Sequence, residues 1–232
     1  EGSFGFIHTR LKIVDLNDTG HQPMQSHSGR YVITYNGEIY NKKYLLSELL
    51  RVVPSFKLKG TCDTEIFLEC IENLGLDKTL LLSKGMFAFA LWDKYEKTMY
   101  LGRDRTGQKP LYYSNKNSEI LFCSYLEPFI LKEGIKNNIN NSALIHYLKL
   151  SYVPDNMCIL KNVSKVQPGT YLKFTALNYT PDVVTYWDIN DFLIKNKNNK
   201  KSSMNPSISI NLENILKETI SEHLSADVPL GV

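Results

Sequence analysis

Several features that often reveal a function are scarce or missing in this sequence. There are four cysteines in 232 residues, and Cys62, Cys70, Cys123 and Cys158 have no Cys or His partner at metal-ligand spacing. Neither zinc nor a disulfide framework is expected in a chain of this size, and a reduced, cytoplasmic setting fits best. No apolar run approaches the roughly 18 residues that cross a bilayer. The longest, Met86 to Trp92, reads as a buried strand. A charged-then-apolar leader is missing from the first residues. One-sided charge is also missing: the net charge is +3, with Lys and Arg interspersed among Asp and Glu. That leaves no nucleic-acid footprint. With 43% hydrophobic and 22% charged residues, the composition is that of a globular chain of one to two domains.

What is present centres on residues 31–41. Tyr31 to Tyr35 is an unbroken β-branched and aromatic run, which predicts a strand. Asn36-Gly37 is expected to end it, since both residues tolerate positive φ. Glu38 follows, and Asn41 is placed to cap a helix carried by Tyr44, Leu45, Leu46, Leu49 and Leu50. A side-chain amide, a Gly N–H and a carboxylate thus gather at a strand end. Two donors side by side can hold a developing oxyanion, and a carboxylate beside them can hold an ammonium. An Asn-Gly hairpin turn with a surface Glu accounts for the same residues equally well.

Two further clusters weigh against the hairpin: residues 9–15, with Arg10 and Asp15, and Gly60-Thr61-Cys62-Asp63-Thr64-Glu65. The three together resemble the glutamine pocket of class II glutamine amidotransferases, and within them the glutamine-hydrolysing asparagine synthetases. His8-Thr9-Arg10-Leu11 fits the family's opening strand. Arg103-Asp104-Arg105, Gly107, Pro110 and Leu111 fit a shared architectural run. Tyr152-Val-Pro154, Val166-Gln-Pro168-Gly169 and Tyr186-Trp187-Asp188 fit its closing segments.

The resemblance implies an α+β fold, the N-terminal-nucleophile hydrolase four-layer αββα sandwich, here without its first strands. It implies a glutaminase domain over 1–188, a linker over 189–206, and over 207–232 the first helix of an ATP-pyrophosphatase-type synthetase domain. Asn36 and Gly37 would form the oxyanion hole. Arg10, Leu11, Ile13, Val14, Glu38 and Asp63 would bind glutamine with them, Arg10 on the α-carboxylate through its guanidinium fork. Without that company, Arg10 reads as an Arg on a solvated strand edge. The family's nucleophile is a terminal Cys lying upstream, so the 232 residues alone are expected to be inactive. The longer protein would take glutamine, aspartate and ATP, with Mg²⁺, and make asparagine. This chain itself is expected to bind no cofactor and no metal, and a homodimer is left open. Other acceptors, such as a polysaccharide sugar or a lactam precursor, and a non-catalytic paralogue are the alternatives.

Other candidates rank lower. His21 has no paired Ser or acid, and the family makes Gln22-Pro23-Met24 structural. Cys62 is a thiol beside the pocket but not the family's nucleophile. Arg103 and Asp104 read as a mutually satisfied pair, with a phosphate loop as the alternative. Met86 and its Phe neighbours read as core. Asn190 to Asn205, rich in Lys, Asn and Ser, reads as a mobile linker, and an amphipathic helix follows through Leu212, Ile215, Leu216, Ile220 and Leu224.

Overall fold

The computed structural model describes residues 4–9, 18–116, 119–132, 138–175, 178–196 and 206–224. Two compact units emerge: Glu1–His8, Gln22–Glu38 and Met86–Trp187 in one, and Thr9–His21, Ile39–Gly85 and Asp188–Val232 in the other.

The first unit is a pair of sheets. The larger takes its strands from β1 (Met24–Gln25), β2 (Tyr31–Ile39), β3 (Gly85–Asp93) and β4 (Thr98–Arg103), continuing with β8 (Thr170–Thr175) and β9 (Asn178–Thr185), in the order β1-β2-β3-β4-β8-β9. The smaller is β6-β5-β7, built from β5 (Tyr112–Lys116), β6 (Glu119–Cys123) and β7 (Ser164–Lys165). The pairings β1–β2, β3–β4, β4–β8, β8–β9, β5–β6 and β5–β7 are all antiparallel.

Strand β3 explains why its sequence is an unbroken apolar run. Ala88 and Ala90 face the smaller sheet with Met99, Leu101, Leu172 and Phe174, and Trp92 packs against the same cluster. Tyr113, Ile120 and Phe122 close that core from the other sheet. Phe87, Phe89 and Leu91, on the alternate positions, are fully buried as well. A strand covered on both faces has no polar alternation to show. The outer face of the smaller sheet, with Tyr112, Leu121 and Cys123, packs under Phe129 of α4 (Glu127–Leu131) and under Cys158, Leu160 and Val163.

Arg103 and Asp104 are architectural, but they are not each other's partners as expected. Arg103 donates to the carbonyls of Lys109, Gly107 and Val166 and to the Asp155 carboxylate. The fully buried Asp104 accepts the backbone N–H groups of Phe87, Thr106, Gln108 and Lys109. The physical requirement that buried charges be satisfied holds, and the backbone supplies most of it. Gly107 sits at φ 69°, and an added Cβ would come within 2.9 Å of Arg103 Cζ. The glycine therefore lets the loop wrap the guanidinium.

The second unit contains α1 (Lys42–Val52), α2 (Asp63–Leu74) and α3 (Leu76–Leu82). Leu45 and Leu49 of α1 are fully buried, as are Phe67 and Cys70 of α2. The Cys70 thiol donates to the Leu45 carbonyl. Gly75 ends α2 at φ 89°, a positive φ that glycine adopts freely. The expected cap at Asn41 is corrected: its side chain makes no cap bond and instead donates to Leu82 O and accepts from Lys84 N–H. The cap of α5 (Asn141–Leu150) is Asn140, accepting from Ser142 and Ala143 N–H. Part of the expected linker is helical, as α6 (Ile189–Asn196), and α7 (Pro206–His223) is the expected amphipathic helix.

Candidate functional site

Asn36-Gly37 does not end its strand. β2 runs on through Glu38 to Ile39, which removes the hairpin alternative. Backbone bonds flank this strand at both ends, Lys94 N–H to Arg30 O and Tyr40 N–H to Lys84 O. Gly37 is not among the positive-φ glycines of the described residues. Its need is spatial: a Cβ there would lie 2.1 Å from Met86 O and 2.6 Å from Phe87 Cα. Both are backbone-anchored atoms of β3 that cannot swing aside, so the close approach of the two strands requires Gly.

Two side chains brace this part of β2. The buried Gln22 accepts the Tyr35 N–H at 2.6 Å through Oε1, which confirms the structural reading of that segment. The half-buried Asn36 donates through Nδ2 to Ser124 Oγ at 3.3 Å. Glu38 is half-buried in the same strand. Three of the expected site residues are therefore consecutive on one braced strand, because chain connectivity alone delivers them together.

Asp63 opens α2 in the second unit and is 7% exposed. Its Oδ2 accepts the Ile39 N–H at 2.8 Å and its Oδ1 the Thr64 N–H at 2.9 Å. Burial pushes its pKa above the ordinary carboxylate value, and the two N–H donors and Lys42 oppose that rise only in part. A raised, buried carboxylate is stabilised in its charged form by an arriving cation. Asp63 also lies in the first turn of α2, where a carboxylate complements the helix dipole. Arg10, Leu11, Ile13 and Val14 lie outside the described residues.

Three of the four cysteines are held away from the activated thiolate state. Burial raises the thiols of Cys62 and Cys158, and that of Cys70 to about 12. Cys123 is taken up in packing against Phe129. A thiol raised by burial is inert at neutral pH. His21 is exposed. A separate cleft of about 320 Å³, lined in part by Tyr113, Lys165 and Thr170, includes none of the expected site residues. Among the described residues, no group of three or more His, Cys, Asp or Glu is placed to hold a metal ion, and no helix is long and apolar enough to cross a membrane.

Sequence reasoning missed two supporting residues. Buried Glu65 accepts the N–H groups of Lys59 and Gly60, tying the loop before α2 to its first turn. A carboxylate three residues after the N-cap was a usable sign of that. Ser124 gave no sign, being 88 residues from its partner.

The chain matches known proteins over most of its length. The family model of the glutamine amidotransferase domain matches residues 1–187. Asparagine synthetase [glutamine-hydrolyzing] 1 of Bacillus subtilis is 29% identical over 98% of this chain and 34% of its own length. Asparagine synthetase [glutamine-hydrolyzing] 2 of the same organism is 26% identical over 100% of this chain and 31% of its own. This chain thus spans about a third of either relative. Among solved structures, the glutamine phosphoribosylpyrophosphate amidotransferase of B. subtilis superposes with a TM-score of 0.53 at 16% identity, over 78% of this chain and 34% of that one. At that identity the likeness concerns the fold. With its paired antiparallel sheets and the family match over most of its length, the chain belongs to the glutamine amidotransferase domain family.

Proposed function

We propose that this chain is the glutamine-hydrolysing part of an asparagine synthetase, in which ammonia released from glutamine amidates aspartate. The observation that carries this reading is the braced Asn36-Gly37 step, with one residue pinned by its side chain and the other free of any side chain. In this reading the Asn36 amide and the Gly37 N–H receive the oxyanion as the side-chain amide of glutamine is attacked. Glu38 and Asp63 take the α-ammonium and Arg10 the α-carboxylate, with Leu11, Ile13 and Val14 lining the pocket. In this reading the nucleophile is, as the family resemblance implies, a terminal Cys lying upstream of these residues and acting with its own amine as base. The sheet pair is then the centre of a four-layer αββα sandwich, and residues 207–232 begin an ATP-pyrophosphatase-type domain in a cytoplasmic enzyme. ATP and Mg²⁺, held by that domain, would activate aspartate as an adenylate.

The test uses the full-length parent protein with glutamine, aspartate, ATP and Mg²⁺. Appearance of asparagine and AMP supports the reading. Glutamate and ammonia without asparagine would keep the glutaminase and reassign the acceptor. No glutamine turnover would overturn it.

A further inference from the structure

We propose that Ser124 is a positioning residue for the glutaminase chemistry, setting the orientation of the Asn36 carboxamide that receives the oxyanion. The inference rests on the function proposed above and deepens it at the same site.

A carboxamide turns about a broad, roughly two-fold torsion, so an unbraced Asn presents its N–H or its oxygen with little preference. The Asn36 Nδ2 donates to Ser124 Oγ at 3.3 Å. An amide nitrogen carries two hydrogens. With one engaged by the hydroxyl, the carboxamide is held against Ser124 and its second hydrogen remains for a ligand. A flipped amide would present its oxygen as an acceptor, and a developing oxyanion would meet a lone pair. Ser124 can hold this post because of where it sits. It directly follows β6, whose last residue, Cys123, pairs with Tyr112 of β5. The hydroxyl is thus carried by the smaller sheet, while Asn36 belongs to the larger. The bond ties both sheets of the first unit at the residue that the proposed chemistry uses. Orientation fixed before the reaction lowers the barrier without any reorganisation at the moment of charge development.

A partner that orients a donor is worth less than the donor itself, which typically contributes about 10²–10³ in rate. In the full-length protein, Ser124→Ala should lower kcat for glutamine hydrolysis about 10-fold and leave KM for glutamine close to wild type, because the oxyanion exists only in the transition state. Ser124→Thr keeps the hydroxyl and should retain most of the rate. Asn36→Ala should lose about 10²–10³, and Ser124→Ala added to it should cost nothing more, since the two act through one amide. Synthesis from free ammonia reports folding and should be unchanged in both single Ser124 variants. A full kcat in Ser124→Ala, a rise in KM in place of a fall in kcat, or an additive loss in the double variant would overturn the role of Ser124 alone. Asn36→Ala with wild-type glutamine hydrolysis, or a wild-type protein that hydrolyses none, would overturn the reading of the site and this inference with it.

Discussion

The carboxylate of Asp63 accepts the backbone N–H of Ile39 at 2.8 Å, across 24 residues of sequence. Ile39 is the last residue of β2 and follows Glu38 directly. The first turn of α2 is therefore fixed by a charge to the backbone of Ile39.

That carboxylate should govern the acid limb of glutamine binding. Its folded pKa lies above its unfolded value because burial penalises the charge. The sign follows directly: as pH falls, the native state takes up this proton before the unfolded chain does. The group's contribution to stability is thus poorest when it is ionised, and it improves as pH falls through the folded pKa. Affinity for an ammonium runs the opposite way and weakens over the same range. In the full-length protein, the glutamine Kd measured by calorimetry should rise toward acid, and Asp63→Asn should raise Kd at neutral pH by about 10-fold or more and flatten the acid limb. An unchanged pH profile in the variant would remove Asp63 from the site.

Gly37 tolerates no side chain. Gly37→Ala places a methyl 2.1 Å from Met86 O, and β2 or β3 must shift to admit it. The expected loss is about 2–3 kcal/mol in urea-monitored stability, in the upper part of the range for overpacked sites, together with loss of glutamine hydrolysis. A variant within about 0.5 kcal/mol of wild type would show that the strands separate readily here.

Arg30 holds the turn between β3 and β4. Its Nη2 lies 2.6 Å from Oδ2 of Asp93, whose side chain is 1% exposed, and Asp93 Oδ1 also accepts the Tyr95 and Glu96 N–H groups. Burial alone would push Asp93 up, but the Arg30 guanidinium and the two N–H groups outweigh it and hold the carboxyl below its ordinary 3.8. Arg30→Met should cost about 2–3 kcal/mol, below the span for a fully buried pair because Arg30 is partly exposed. A depressed carboxylate contributes stability above its unfolded pKa and loses it as pH falls through the folded one. The gap between wild type and variant, followed by thermal melts, should therefore narrow below about pH 4. A constant gap down to pH 2 would place the effect in packing.

Cys62 should prove dispensable. It is buried, its thiol is raised, and the thiol donates to Asp63 Oδ1 at 3.8 Å. Cys62→Ser keeps a donor of similar size, so full-length protein carrying it should hydrolyse glutamine within about 3-fold of wild type and lose less than about 1 kcal/mol of stability. Loss of a covalent glutamyl adduct in this variant would make Cys62 the nucleophile after all.

Local chemistry in the sequence determined a good deal by itself. The β3 run from Gly85 to Asp93, the α2 stop at Gly75 and the grouping of Asn36, Gly37 and Glu38 depend on side-chain pattern, glycine freedom and chain connectivity, all of which are local. The reading of Asn36-Gly37 as a stop failed because the approach of β3, not positive φ, demands the glycine. The Asn41 cap failed because Leu82 and Lys84 compete for its amide. Arg103 and Asp104 were legible as a buried charged pair but not in their partners, which come from the loop they wrap and from residues about 50–60 positions away. Ser124 was invisible for the same reason. Hydrogen bonds are directional and short, so which distant group meets a given donor is decided only when the sheets are packed, whereas the need for a partner is already written in the residue type.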